Sequence, residues 1–127
     1  VLGVRAGQQV RIINSDATMH NVHALPMANR EFNHGQQEQA PAFTHTFTVP
    51  EVMVRFKCDV HGWMSAHVGV MAHPFFAVTG PDGAFEIKGI PPGTYTLGAW
   101  HETFGTETQP ITVADRERKT AAFVFKQ

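Results

Sequence analysis

Three side chains with soft or borderline donor atoms recur three residues apart in Lys57-Cys58-Asp59-Val60-His61-Gly62-Trp63-Met64: a thiol, an imidazole and a thioether. Cys58 is the only cysteine of the chain, which excludes a disulfide within it and a zinc site built from several cysteines. Two histidines and one cysteine in a trigonal arrangement, with a weak axial methionine, are a donor set suited to copper in electron transfer: thiolate favours Cu(I), and imidazole serves both oxidation states. The loop supplies three of those four donors, so a second imidazole must come from elsewhere in the chain.

It is available in Asn14-Ser15-Asp16-Ala17-Thr18-Met19-His20-Asn21-Val22-His23, where a β-type run over 9–13 breaks at a polar turn and resumes with histidine. His20 and His23 are three residues apart, and in an extended strand that puts them on opposite faces, so only one can look toward a metal. Met19, Met27, Met53 and Met71 share no loop with the cysteine and are expected to be core or surface apolar residues.

Taken together, the two segments resemble the cupredoxin family, and within it the amicyanin and plastocyanin group. Met19-His20-Asn21-Val22 is similar to the family's Pro-His-Asn-Val string without its proline, and Cys58, His61 and Met64 match its Cys-x-x-His-x-x-Met loop. Phe43-Thr44-His45-Thr46-Phe47-Thr48 fits the family's penultimate strand. The resemblance covers residues 1–72 and implies a Greek-key β-sandwich holding one copper ion, cycling Cu(I)/Cu(II), on His20, Cys58, His61 and Met64. It further implies that Asn21 braces the Cys58 loop, that His61 is the electron port within an apolar patch of Gly62, Trp63, Leu25 and Pro26, and that redox partner proteins dock near His61 and Trp63. A type 1 copper electron carrier working in the periplasm or otherwise outside the cytoplasm is the function so implied. A copper carrier or storage module, or a structural β module, is the alternative. Paired carboxylates, a nucleophile with its base and a phosphate loop are missing from the sequence, so no enzyme is expected.

The rest of the chain must position these donors. Its 127 residues suffice for one core or two small lobes. Ten Lys and Arg against eleven Asp and Glu leave a net charge of -1, which provides no basic field for nucleic acid. No apolar run reaches membrane-spanning length. Strands are predicted over 1–4, 9–13 with Val10 and Ile12 on one face, 42–49, 52–56 and 68–71, with no helix of normal length. Residues 25–41 read as a long polar loop with His34 solvated within it, and His45 reads as a surface residue of its strand. His67 is expected beside the metal without binding it.

Residues 73–127 form the second predicted lobe. Gly80-Pro81-Asp82-Gly83 is a hairpin turn between runs at 75–79 and 84–87, Pro91-Pro92-Gly93 is a second turn, and 94–101, 110–114 and 118–125 are strands, the last with Phe123 and Phe125 on one face. This string resembles the carboxypeptidase regulatory-like, transthyretin-like β-sandwich domains. His73 and His101 read as structural histidines and Trp100 as core. Since each resemblance begins part-way through its family's pattern, the two lobes are expected to complete one another.

Overall fold

The computed structural model describes residues 1–126 as an all-β protein; Gln127, the end of the expected second lobe, lies outside the described residues. By its internal packing the chain divides into two compact units, Val1–Ile87 and Lys88–Gln127, so the first continues past residue 72.

Seven strands build the first unit: β1 (Leu2–Arg5), β2 (Gln9–Ile12), β3 (His20–Leu25), β4 (Phe32–Gln36), β5 (Phe43–Thr46), β6 (Glu51–Lys57) and β7 (Ser65–Met71). Five of them form a mixed sheet in the order β1-β7-β6-β3-β4, with β1 parallel to β7 and the other pairs antiparallel. The remaining two, β2 and β5, pair antiparallel as a second layer. Period-two alternation decides which side chains meet between the layers. Val54 and Phe56 of β6, Val68 and Val70 of β7, Ala24 of β3 and Val4 of β1 pack with Phe47, just after β5, and with the half-buried Val10 of β2. Full burial of side chains of this size contributes about 1.5–3 kcal/mol each, which is what holds the layers together.

Tight turns and one close approach complete the frame. Gly7 has φ 88°, a left-handed conformation that turns β1 into β2, where its N–H donates to the Phe47 carbonyl at 2.8 Å. Gly3 lies under the ring of Phe76: a Cβ built there would stand 2.5 Å from a ring carbon, so the 73–79 segment covers β1.

Several expectations are corrected. The loop predicted over 25–41 contains β4, hydrogen-bonded along β3. Its inward positions, Phe32, His34 and Gln36, include two polar residues, so hydrophobic patterning alone could not reveal it. His34 is not solvated but stacks on Phe43, with ring centroids 4.0 Å apart. His45 points inward with Phe43 and Phe47, its ring 4.1 Å from that of Phe32, and desolvation lowers its pKa. Between residues 73 and 87 only the turn forms, with the Gly80 N–H donating to the Ala84 carbonyl at 3.0 Å and no strand on either side.

In the second unit, β8 (Gly93–His101) and β9 (Gly105–Val113) make one antiparallel hairpin. The turn at Pro91 is tied by the Tyr95 hydroxyl, which donates to the Pro91 carbonyl at 2.6 Å. The strand predicted over 118–125 is not formed, although Phe123 and Phe125 do share a face, both half-buried with Val124 exposed between them. Trp100 is half-buried rather than a core residue.

Candidate metal centre

The site grows out of the ends of β3 and β6. Val54 and Phe56 face the core, and Cys58 continues the same alternation one residue past the strand, so its side chain points inward and is 5% exposed. On β3 the inward set is His20, Val22 and Ala24, which turns the His20 ring toward Cys58. The seven residues from Cys58 to Met64 then bridge β6 to β7, with the Met64 N–H donating to the His61 carbonyl at 3.0 Å and folding the loop back over the cysteine.

Three donor atoms converge. His20 Nδ1 and His61 Nδ1 are 3.1 Å apart, and Cys58 Sγ lies 3.9 Å from the first and 3.8 Å from the second. First-row metal bonds are about 2.0 Å to imidazole nitrogen and about 2.3 Å to thiolate sulfur, which at trigonal angles gives nitrogen–sulfur separations of about 3.7 Å. The observed triangle is therefore of the size that three donors to one such ion would have. Among the described residues no other group of three His, Cys, Asp or Glu side chains converges in this way. Met64 lines the same apolar cavity as His20 and Cys58, and His67 lines it too without joining the cluster.

Electrostatics prepare the donors. Burial opposes ionisation of the Cys58 thiol, but the backbone N–H groups of Asn21 and His61 and the rings of His20 and His61 outweigh it and bring its pKa down to about 6. The far nitrogen of His20, Nε2, donates to Asp16 Oδ2 at 2.6 Å, which assigns the proton to Nε2 and leaves the Nδ1 lone pair facing the sulfur. That bond, and the proximity of Cys58, raise the His20 pKa.

On the opposite face of β3, polar residues hold the loop. Asn21 Oδ1 accepts the N–H of Asp59 at 2.5 Å, while its Nδ2 donates to Asp59 Oδ2 at 2.8 Å and to Asn33 Oδ1 at 2.7 Å. The expected bracing by Asn21 is thus present. His23 turns away from the cluster, as strand geometry requires, and bonds Glu31 at 2.7 Å and Asp59 at 3.1 Å. Lys57, with help from Asn21, Asn33 and His23, lowers the pKa of Asp59 to about 2.

Reading the sequence missed Asn14, Asp16, Asn33, Gln36 and Asp59. Asn14 is 8% exposed; its Nδ2 donates to the carbonyls of Thr18 at 2.8 Å and Gln36 at 3.1 Å, and its Oδ1 accepts the N–H of Asp16 at 2.9 Å. Gln36, 1% exposed, donates to the Ile12 carbonyl at 3.0 Å. The Asn-Ser-Asp string was the available signal, since an Asn accepting the N–H two residues on is an Asx turn. The apolar patch is also redrawn. His61 is half-buried under Trp63, which is 81% exposed with ring centroids 5.1 Å apart. Leu25 and Pro26, however, lie toward the other end of β3, about 16 Å along the strand from His20 at ~3.3 Å per residue. His73 and His101 each accept backbone N–H groups within their own segments, from Phe75 and from Thr103 and Phe104.

Comparison with known proteins adds two findings. The family model described as polysaccharide lyase family 4, domain II, matches residues 44–121, a span that includes Cys58, His61 and Met64 but not His20. A solved structure described as a novel purple cupredoxin from Nitrosopumilus maritimus is similar at 24% identity over 54% of this chain and 75% of that one, with a TM-score of 0.47. No curated protein matches.

Proposed function

This chain belongs to the family of polysaccharide lyase family 4, domain II, and from that all-β frame we propose that its first unit is a mononuclear copper protein that carries single electrons. Membership of the family assigns no chemistry to the site, so the reading rests on the site's own residues. One observation carries it: a lone thiolate and two imidazole Nδ1 atoms converge at separations that one first-row ion spans.

His20, Cys58 and His61 would hold the ion in this reading, and Met64, which lines the same cavity, would be a further, weaker donor. One-electron redox chemistry is what copper supplies when bound. The chain's residues do the rest: Cys58 is ready as a thiolate near neutral pH, Asp16 fixes the His20 tautomer, and Asn21 ties down the loop. Donors clamped in this way move little between oxidation states, which favours electron transfer. The electron received from a reduced partner protein and passed to an oxidised one leaves no bond made or broken, so the role is that of a carrier and not an enzyme. His61 beneath the exposed Trp63 is the port, and the Trp63 side chain over it forms the proposed docking point. We place the protein outside the cytoplasm, which fractionation of the source cells checks.

The test is the visible spectrum of the copper-loaded protein. An intense sulfur-to-copper band is expected in the wild type and absent in Cys58→Ser; a serine variant that keeps the colour overturns the assignment. Rapid loss of copper to chelators would instead indicate a metal carrier or store, and no copper uptake at all a structural module.

A further inference from the structure

We infer that Asp16 is a positioning residue of the metal centre: its carboxylate, seated by the buried Asn14, holds the remote nitrogen of His20 and biases bound copper toward Cu(II). The inference rests on the copper reading above and goes beyond it by assigning a residue outside the ligand set.

Two features set Asp16 apart from a surface acid that happens to meet a histidine. Its backbone N–H is held at 2.9 Å by Asn14 Oδ1, and Asn14 is anchored in turn to carbonyls at residues 18 and 36. At the other end, the His20 ring it grips is only 12% exposed, although Asp16 itself is 63% exposed. The turn therefore delivers a full negative charge through one 2.6 Å hydrogen bond to a group one ring away from the metal position.

The charge arithmetic gives the sign. Cu(II) with one thiolate and one carboxylate sums to zero, whereas Cu(I) with the same two groups sums to -1. Hydrogen bonding to a carboxylate also raises the donor strength of the imidazole. Both effects stabilise the higher charge. Outer partners of this kind change metal affinity by about 10- to 100-fold, and the exposure of Asp16 places it at the lower end. A tenfold loss of Cu(II) affinity relative to Cu(I) corresponds to a rise of about 59 mV in a one-electron potential.

The experiment compares the copper-loaded wild type with Asp16→Asn, which keeps an acceptor but removes the charge, with Asp16→Ala, which removes both, and with Asp16→Glu, which restores the charge. Redox titrations followed at the sulfur-to-copper band are expected to show the band in all four, the potential raised by about 59 mV in the Asn and Ala variants, and a return toward wild type in the Glu variant. Four indistinguishable potentials with the band intact overturn the inference and leave the copper reading standing. A wild type without the band overturns the copper reading itself, before any variant is compared. An independent readout is nitrogen NMR of the Cu(I) form: His20 should carry its proton on Nε2 with slowed exchange, and lose that protection in Asp16→Ala. A wild-type His20 protonated on Nδ1 refutes the assignment.

Discussion

Asn14→Ala should be the most costly single change near the site that touches no metal donor. The side chain is 8% exposed and joins three parts of the chain, donating to the Thr18 and Gln36 carbonyls and accepting the Asp16 N–H. Truncation removes these three hydrogen bonds and a longer fourth, from Nδ2 to the Gln37 carbonyl at 3.3 Å. A typical intramolecular bond contributes about 1 kcal/mol net, and a buried acceptor left unsatisfied costs about 1–3 kcal/mol. With the Gln36 bond buried, the other three part-buried and the Gln37 bond long, the sum is about 3 kcal/mol. Urea unfolding of the metal-free protein, followed by far-UV circular dichroism, measures it. The midpoint should fall with an unchanged slope. Ser15→Ala, an exposed neighbour, should stay within about 0.5 kcal/mol of wild type. A loss below about 1 kcal/mol for Asn14→Ala would mean that water replaces the amide at those carbonyls, and would refute the claim that Asn14 seats the His20 turn.

Other substitutions test separate parts of the argument. Met64→Gln should keep copper bound while lowering the reduction potential, because a harder oxygen donor favours Cu(II); redox titration checks it, and an unchanged potential removes Met64 from the axial position. Burial depresses the His45 pKa, so the unfolded chain takes up the proton first: stability is fully present above the ordinary value of 6.5 and declines as pH falls from there toward the folded pKa. His45→Phe should flatten that stretch of the stability–pH curve, and a curve identical to wild type contradicts the inward placement. Burial alone would raise the pKa of Glu51, but the N–H groups of Met27 and Asn29, the Asn29 amide and the N–H of Ala28 outweigh it and leave it lowered. Its contribution is present above 4.5 and lost as pH falls through the depressed value, so Glu51→Gln should destabilise the protein at pH 7 and converge with wild type in acid.

What the sequence determined by itself is local. Cys58 and His61 lie, with Met64, within one seven-residue connection, so the approach of the imidazole to the sulfur needs only a turn, which the spacing of three allows. The alternation of Val10 with Ile12 and the apolar run into Cys58 likewise express their strands directly, because period-two patterning survives wherever the inward residues are apolar. The turn at Gly80-Pro81-Asp82-Gly83 was legible, yet its flanking strands do not form, since a turn specifies a reversal and not the partners that would stabilise a ladder. Only the tertiary structure decided what faces inward with polar atoms. β4 was hidden because His34 and Gln36 hold two of its inward positions, and whether such groups are tolerated depends on partners distant in sequence: Phe43 for one, the Ile12 carbonyl for the other. The same reason kept Asp16 and Asp59 out of the sequence reading. A carboxylate shows nothing of its role until folding sets a histidine or an asparagine against it, and the pairing of β3 with β4 and β6 is what sets Asn21, Asn33 and His23 around Asp59.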